Sequence, residues 1–316
     1  MNIYTLTANP SVDFYLEVSE IVPEDINRLI AIRKDVGGKG INVACVLNDF
    51  GIRGTALGFV AGENGQWIKN RLKEKKIRYR FFEINGESRV IYNILERKTG
   101  RIYRFNESGP EINRKDLKRI KEYILSCPYP KSSLFAICGS APPGIPADFY
   151  ATLIPYLKKK GLTIILDSDN QLLSEGLKSA PDIIKPNLFE LSRLTGRKVS
   201  KKRPEILRSA QKIIAAGVKT VIVSLGSEGA LAVTEKESFQ ARPPALKMHS
   251  TIGAGDALLA GLLAELSRGK NLADALRMGV AAGSASILYP GTSFAPLSKI
   301  FEIYQEVQVS KINLSF

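Results

Sequence analysis

Short apolar runs alternate with amphipathic segments along most of the chain. Runs rich in β-forming residues predict strands at 3–7, 55–61, 134–140, 163–167, 183–185 and 220–225. Apolar residues at helical spacing predict helices at 41–50, 65–75, 113–126, 147–160 and 204–216. Continuously apolar strands that alternate with helices are typical of a mostly parallel sheet with helices on both faces, so the pattern predicts an α/β fold.

Two stretches interrupt this alternation. They are 14–34 and 78–105, and the second carries turn signals at Asn85-Gly86 and Thr99-Gly100. These signals predict two hairpins in series, and the two stretches together predict a small antiparallel β lid beside the main sheet. From Gly255 onward the pattern is almost entirely helical. Since no repeat or linker divides the chain, we expect residues 1–316 to form one domain.

The composition is that of a soluble globular protein, with 44% hydrophobic and 24% charged residues among 316. Lys and Arg outnumber Asp and Glu by 45 to 31, and the net charge of +14 would suit nucleic acid, a membrane surface or small anionic substrates. The basic runs at 73–76, 158–160 and 201–203 contain no interleaved aromatic residues. We therefore expect a solvated basic surface and no nucleic-acid partner.

The cysteines and the apolar runs bear on location. Cys45, Cys127 and Cys138 have no metal-ligand spacing and lie in or beside apolar stretches, where reduced thiols are the usual state. Reduced thiols, together with an amino terminus that lacks the parts of a signal peptide, predict a cytoplasmic protein. No apolar run approaches the ~20 residues that cross a bilayer, so no membrane partner is expected.

The segment Gly253-Ala254-Gly255-Asp256 leads into an apolar helix and is the strongest candidate for chemistry. Small residues at a helix start leave N–H groups unshielded, and the helix dipole adds positive potential, so an anion can bind there. A carboxylate in the mouth of that cradle can accept the proton of a hydroxyl that attacks a bound phosphoryl group. An Asp in the first turn of a helix can also serve only to complement the dipole, and this alternative stays open.

A glycine cluster at 36–44 opens another predicted helix. It predicts a backbone that approaches a ligand closely, with Lys39 and Asn42 as polar contacts, or only a tight turn. Neither a Walker-type phosphate loop nor a Rossmann glycine pattern is present, so another phosphate geometry is needed.

Three further segments, 139–144, 185–190 and 224–229, each follow a predicted strand. Ligands of open α/β sheets bind beyond the carboxyl ends of the strands, so all three segments are expected at one rim. Asn187 and Glu190 can share a helix face and hold hydrated Mg²⁺, or can form an ordinary surface pair.

Taken in order, these motifs resemble those of the ribokinase-like carbohydrate kinase family over essentially the whole chain. The matching motifs are Asn9-Pro10-Ser11-Val12-Asp13, Gly37 to Asn42, Gly139 to Gly144, Lys185-Pro186-Asn187 with Glu190, Ser224 to Gly229, and Thr251 to Asp256. The segments GGKGINVA, Asn27-Arg28, SRV around Arg89 and GPEI at 109–112 are similar to the branch that contains 1-phosphofructokinase and tagatose-6-phosphate kinase. The resemblance implies a ribokinase-like α/β fold, ATP as co-substrate, Mg²⁺, a small-molecule sugar phosphate, and a homodimer formed through the β lid.

The resemblance also implies a role for each matching residue. The catalytic residues would be Asp256, as general base, and the anion hole of Gly253, Ala254 and Gly255. The sugar phosphate would be bound by Asp13, Gly38, Lys39, Asn42, Arg89 and Ser140. ATP would be bound by Lys185, Asn187, Ser224, Gly226, Gly229, Thr251 and Ser284, and Mg²⁺ by Asn187 and Glu190.

The implied reaction is transfer of a phosphoryl group from ATP to a ketohexose monophosphate. Lys39 and Asn27-Arg28 favour fructose 1-phosphate over tagatose 6-phosphate and fructose 6-phosphate. A nucleoside or ribose kinase has no reason to keep Lys39 and Arg89 for a second phosphate, and a non-catalytic sensor has no reason to keep Asp256.

Two features depart from the family branch. The turn 167–170, Asp-Ser-Asp-Asn, differs from the usual Asp-Ser/Thr-Ser-Gly, which puts its contacts in doubt. Arg104 is closer to the related 6-phosphofructokinases, and it either contacts a sugar phosphate or lies exposed on the lid.

Overall fold

The computed structural model describes residues 1–292 and 294–313, which form two sheets and the helices that cover them. The strands are β1 (Ile3–Thr7), β2 (Ser11–Val18), β3 (Leu29–Gly37), β4 (Gly54–Ala61), β5 (Arg78–Ile84), β6 (Arg89–Glu96), β7 (Arg101–Asn106), β8 (Leu134–Cys138), β9 (Thr163–Asp167), β10 (Ile183–Ile184), β11 (Thr220–Ser224), β12 (Ala230–Thr234), β13 (Ser238–Arg242) and β14 (Gln308–Ile312). The helices are α1 (Lys39–Asp49), α2 (Gly62–Glu74), α3 (Arg114–Ser126), α4 (Phe149–Lys159), α5 (Asn170–Leu177), α6 (Leu188–Thr195), α7 (Arg203–Ala215), α8 (Ala254–Ser267), α9 (Leu272–Ser286) and α10 (Leu297–Glu306).

The large sheet has the strand order β14-β13-β12-β11-β10-β9-β8-β1-β4-β5. Neighbours from β11 to β5 are parallel, and β12, β13 and β14 join antiparallel at one edge. Helices cover both faces: α1, α8, α9 and α10 pack on one, and α3 to α7 on the other. The predicted α/β fold with a central, mostly parallel sheet is therefore confirmed.

The small sheet has the order β3-β2-β6-β7. Its outer pairs are antiparallel, whereas its central pair, β2 with β6, is parallel. The hairpin predicted at Thr99-Gly100 is confirmed, since β6 and β7 pair directly across it. The small sheet is built from 11–37 and 89–106.

The hairpin predicted at Asn85-Gly86 is wrong, and so is the placement of all of 78–105 in the lid. Strand β5 pairs in parallel with β4 at the edge of the large sheet, and the chain crosses to the small sheet only afterwards. An edge strand has one neighbour and one open side, so β5 mixes exposed and buried positions as a lid strand would.

The carboxyl-terminal part is less helical than its pattern predicts, because β14 closes the sheet beside β13. Residues of β14 are half-buried or exposed, and such a strand leaves little apolar signal in the sequence. Cys45 and Cys138 are buried, Cys127 is half-buried, and all three are free thiols. Within 1–292 and 294–313, no helix has the length and apolar character needed to cross a membrane.

Candidate active site

A cleft of about 670 Å³ lies between the small sheet and the carboxyl ends of the parallel strands in the large sheet. Most of the predicted site residues meet in its wall: Asp13, Gly38, Lys39, Arg89, Ser140, Lys185, Asn187, Glu190, Ser224, Thr251, Gly253, Gly255 and Asp256. These residues come from segments far apart in the sequence. The structure therefore brings the predicted catalytic, sugar and nucleotide positions into one space.

Helix α8 begins at the floor of this cleft. Its N-cap, Gly253, has a left-handed backbone with φ of 78°, and a Cβ there would lie 3.1 Å from the Phe294 ring, so glycine suits the turn. Within the described residues, no protein acceptor is bonded to the N–H groups of Gly253 and Gly255. The Ala254 N–H lies 3.4 Å from the Thr251 carbonyl, and the Asp256 N–H donates to Gly253 at 3.1 Å. The free amides that can face an anion are therefore chiefly those of the two glycines.

The Asp256 carboxylate lies in the first turn of α8 and is only 8% exposed. The side-chain amide of Asn42 donates to its Oδ2 at 2.8 Å, which orients the carboxylate from α1. Burial raises the pKa of Asp256 to about 6, against the ammonium groups of Lys39 and Lys185, which favour the charged form. A carboxylate with such a pKa is ionised at neutral pH and still basic enough to accept a proton.

Two lysines lie beside Asp256 and share one buried carboxylate. Asp167, at the end of β9, is 3.1 Å from Lys39 Nζ through Oδ1 and 3.2 Å from Lys185 Nζ through Oδ2. Burial alone would raise the pKa of Asp167, but the two ammonium groups outweigh it and hold that pKa below its usual range. Lys185 Nζ would lie 3.5 Å from a Cβ at Gly255, which places the ammonium group next to the α8 turn.

The sequence analysis did not predict a role for Asp167. This residue begins the turn 167–170, which departs from the family pattern, so no contacts were assigned to it. The available signal was its position: an acid that directly ends a buried parallel strand lies at the ligand-binding rim.

Asp167→Ala is expected to lower the free energy of unfolding by about 3–5 kcal/mol, because it leaves Lys185, only 5% exposed, without its buried partner. Glu74→Ala is the control, since it breaks the exposed pair with Arg71, a contact of about 0–1 kcal/mol. Urea unfolding of both variants measures the difference. Equal, small losses in the two would contradict the anchoring role of Asp167.

Asp13 and Arg89 lie on neighbouring strands of the small sheet. Ser11 Oγ donates to Asp13 Oδ1 at 2.6 Å, and a Cβ at Gly37 would come within 2.0 Å of that oxygen, so only glycine leaves room for this carboxylate. Burial raises the pKa of Asp13 to about 6, although Ser11 and Arg89 favour its charged form. The Arg89 Nε is buried without a hydrogen-bond partner in the described part of the chain.

Three further polar residues of the small sheet line the cleft: Asn93, Arg104 and Asn106. Asn93 and Arg104 are partners in the β6–β7 register, and Asn106 is the partner of Ile91, so their side chains share the face that carries Asp13. Arg104 thus lies where it can contact a sugar phosphate. The alternation of β7 could have placed it only if the register with β6 had been known.

Asn187 and Glu190 form a capping box at the start of α6. Asn187 Oδ1 accepts from the amides of Phe189 and Glu190 at 2.9 Å each, and Glu190 Oε2 accepts from the Asn187 amide at 2.8 Å. The two lone pairs of Asn187 Oδ1 are thus in use, so Asn187 is a poor direct metal ligand. Glu190 keeps Oε1, which is 3.9 Å from Lys39 Nζ and lines the cleft, and this oxygen fits hydrated Mg²⁺.

Some predicted residues do not line the cleft. Asn42 reaches it through Asp256, and Ala254 lies between the two cleft-lining glycines. Gly226 belongs to an exposed 3₁₀ turn, Gly229 packs against the backbone of β13, and Ser284 lies on α9, so their contacts with a nucleotide stay predictions.

Comparison with known proteins shows the family of the chain. The model of the "pfkB family carbohydrate kinase" matches residues 7–300. Tagatose-6-phosphate kinase of Staphylococcus epidermidis is 33% identical over 312 residues, which are 98% of this chain and 100% of that protein. The 1-phosphofructokinase of Bacillus subtilis is 34% identical over 284 residues, 90% of this chain and 92% of its own.

The fold agrees as well. A crystal structure of phosphofructokinase-2 from Escherichia coli in complex with potassium aligns with a TM-score of 0.90 and 32% identity, covering 96% of this chain and 98% of that one. A tetrameric inhibited form of the same enzyme aligns with a TM-score of 0.88 over the same shares, again at 32% identity. The ribokinase-like fold predicted from the motifs is thereby confirmed. The chain therefore belongs to the pfkB family of carbohydrate kinases, as a sugar-phosphate kinase with ATP as its co-substrate.

Proposed function

We propose that this kinase phosphorylates a ketohexose monophosphate, with fructose 1-phosphate as the first candidate and fructose 1,6-bisphosphate as its product. The observation that carries the proposal is the position of Asp256: a buried carboxylate beside two free amides, in a cleft whose opposite wall carries Arg89. The α8 turn suits the phosphoryl group that moves. Arg89 suits the phosphate already on the sugar, because a guanidinium group binds phosphate through two parallel hydrogen bonds.

In the proposed step, Asp256 accepts the proton of the attacking hydroxyl. The hydroxyl oxygen forms a bond to the γ-phosphorus of ATP, the bond to the β–γ bridging oxygen breaks, and ADP leaves. The amides of Gly253 and Gly255 and the Lys185 ammonium group stabilise the negative charge on the transferring group. Asn42 holds the carboxylate in place during the transfer.

For Mg²⁺ we propose Glu190 as the residue that holds the hydrated ion, with Asn187 contributing by fixing the Glu190 backbone rather than as a direct ligand. A bound Mg²⁺ would supply charge neutralisation for the phosphates. Lys39 lines the cleft near Glu190, Asp167 and Asp256 and keeps a raised pKa, because these carboxylates outweigh its burial.

Activity is expected to fall as the pH drops through about 6. Asp256 and Asp13 both have a pKa of about 6, and both act in the ionised form. Asp256 accepts the proton of the attacking hydroxyl, and Asp13 accepts hydrogen bonds from sugar hydroxyls. Two groups that must both be ionised give a kcat/KM that falls by up to a hundredfold per pH unit below their pKa values. The pH profile of kcat/KM is measured for the wild type and for Asp13→Asn. Below the pKa of Asp256, kcat/KM of Asp13→Asn should fall only tenfold per pH unit. Identical slopes would contradict the role of Asp13.

Side-by-side assays with ATP test the substrate. Fructose 1-phosphate, fructose 6-phosphate and tagatose 6-phosphate are the three acceptors, because β-fructofuranose has near two-fold symmetry between C1 and C6, and tagatose differs in one hydroxyl. Fructose 1-phosphate is expected to give the highest kcat/KM. Turnover of ribose or a nucleoside, with none of the three phosphates, would instead make the chain a kinase of unphosphorylated acceptors.

We also propose that two copies of the chain associate through the small sheet. Its face turned away from Asp13 carries Ile32, Tyr92 and Phe105, which are 63%, 36% and 58% exposed. Several exposed apolar side chains on one face of a sheet favour an interface there. Ile32→Glu with Phe105→Glu is expected to convert a dimer to a monomer in light scattering, whereas Ile26→Glu, also exposed, should not. A wild-type monomer would contradict the proposal.

A further inference from the structure

A separate cavity of about 220 Å³ lies between the start of α7 and β13. Its polar wall consists of Lys201, Arg203, Glu228, Gln240 and Arg242, and none of these residues lines the active-site cleft. The cavity is therefore distinct from the active-site cleft, with which it shares no lining residue.

The charges around this cavity have the wrong sign for a helix start. Helix α7 begins at Arg203, its N-cap Lys202 makes no side-chain capping bond, and Lys201 precedes them. The N-terminus of a helix carries partial positive charge and favours acidic side chains, so a run of cations there is unfavourable unless an anion offsets it. Arg242, from β13, adds a further cation to the same wall.

The acidic side chains nearby offset only part of this charge. Glu228 is 3.4 Å from Lys201 and thereby balances one cation. Glu205, in the first turn of α7, accepts a hydrogen bond from the Ser200 amide at 3.0 Å. Over residues 1–292 and 294–313, neither Arg203 nor Arg242 forms a salt bridge.

A buried polar group points independently to a ligand. Gln240 is 4% exposed, it lines the cavity, and its side-chain oxygen has no hydrogen-bond partner among the described residues. A buried polar group without a partner costs about 1–3 kcal/mol, so this oxygen calls for a donor from outside the protein chain. A hydroxyl on a protonated phosphate or on an organic phosphate can donate to this oxygen, while the arginines bind the charged oxygens.

We propose that this cavity is a second anion site, which binds a phosphate group between Arg203 and Arg242 with Gln240 at its base. The volume is below the 300 Å³ or more typical of drug-sized ligands, so the site holds one phosphate group or a short chain of them rather than a whole nucleotide. Leu225 and Glu228 line this cavity, and Ser224, one residue earlier, lines the cleft. The turn that follows β11 thus separates the two sites.

The test follows the side-chain amide resonance of Gln240 in ¹⁵N-labelled protein, assigned by its loss in Gln240→Leu. Titration with inorganic phosphate is expected to shift this resonance saturably. Arg203→Glu with Arg242→Glu should weaken the binding at least tenfold, whereas Lys131→Glu with Lys236→Glu, an equal change of charge elsewhere, should leave it within twofold. Separate titrations with inorganic tripolyphosphate and with fructose 1-phosphate distinguish a free polyphosphate from a sugar-borne phosphate by which binds more tightly.

Two results would overturn the proposal. One is a Gln240 resonance that does not move, or moves without saturation, in all three titrations. The other is an equal loss of affinity in the two double variants, which would reduce the effect to the overall charge of the protein.

Discussion

Asp256→Asn is expected to lower kcat by ~10²–10⁴-fold while leaving the fold intact, the range typical of losing a general base. The replacement keeps the size of the side chain, and its amide oxygen can still accept from Asn42, which donates at 2.8 Å in the wild type. What is lost is the site for the hydroxyl proton. The KM values for ATP and for the sugar phosphate are expected to change little, because the free amides of Gly253 and Gly255 remain.

The same variant should be more stable than the wild type at neutral pH. Since burial raises the pKa of Asp256 to about 6, keeping the carboxylate ionised in the folded state costs about 3 kcal/mol relative to the unfolded chain. This cost grows above a pH of about 4, where the unfolded carboxyl ionises, and is complete above about 6. The unfolding free energy of the wild type should therefore gain on that of Asp256→Asn as the pH falls from 7 to 4.

Asp49→Asn is the control for Asp256→Asn, since Asp49 lies at the far end of α1 and does not line the cleft. It should retain wild-type turnover. Kinetics at saturating substrate and urea unfolding across this pH range measure both effects. Near-normal kcat in Asp256→Asn would remove the proposed base, and a lower stability at pH 7 would contradict the cost assigned to the buried charge.

The periodicity of the chain was enough to predict most of the large sheet and its covering helices, because buried parallel strands are apolar throughout. It missed β12 and β13, which are short and mostly buried, and it also failed at the two half-exposed edge strands. Strand β5 at one edge and β14 at the other have the mixed pattern of surface structure, and only pairing partners distinguish an edge strand of the large sheet from a strand of the small one.

The site shows a similar division. Asp256 was recognisable because its chemistry depends on local sequence, the small residues before it and the helix after it. Asp167 was not, since its role depends on Lys39 and Lys185, which come to it from distant segments. The pair of Asn187 and Glu190 matched a metal motif and a capping box equally well in sequence, and only the hydrogen bonds reveal that the cap uses both acceptor positions of the amide oxygen.

Arg89→Gln is expected to lower kcat/KM for the sugar phosphate about 10- to 150-fold, mainly by raising its KM, which is the effect of losing about 1.5–3 kcal/mol of charge-assisted hydrogen bonding. The guanidinium group is mostly buried, its Nε has no protein partner in the described residues, and burial lowers its pKa despite the nearby Asp13 carboxylate. Such a group keeps a hydrogen-bond donor for a bound anion.

The effect of Arg89→Gln should be confined to the phosphate of the acceptor. The KM for ATP is expected to stay within twofold, because Lys185 and the α8 turn lie on the other wall, and the preference for phosphorylated over unphosphorylated ketohexose should shrink by the same factor as kcat/KM. Arg104→Gln is the matched control, because Arg104 lines the same cleft but is exposed. Water can replace much of the hydrogen bonding of an exposed guanidinium group, so kcat/KM is expected to fall less than about tenfold. A larger loss of kcat/KM from Arg104→Gln than from Arg89→Gln would contradict this role of Arg89 and assign the phosphate contact to Arg104 on β7.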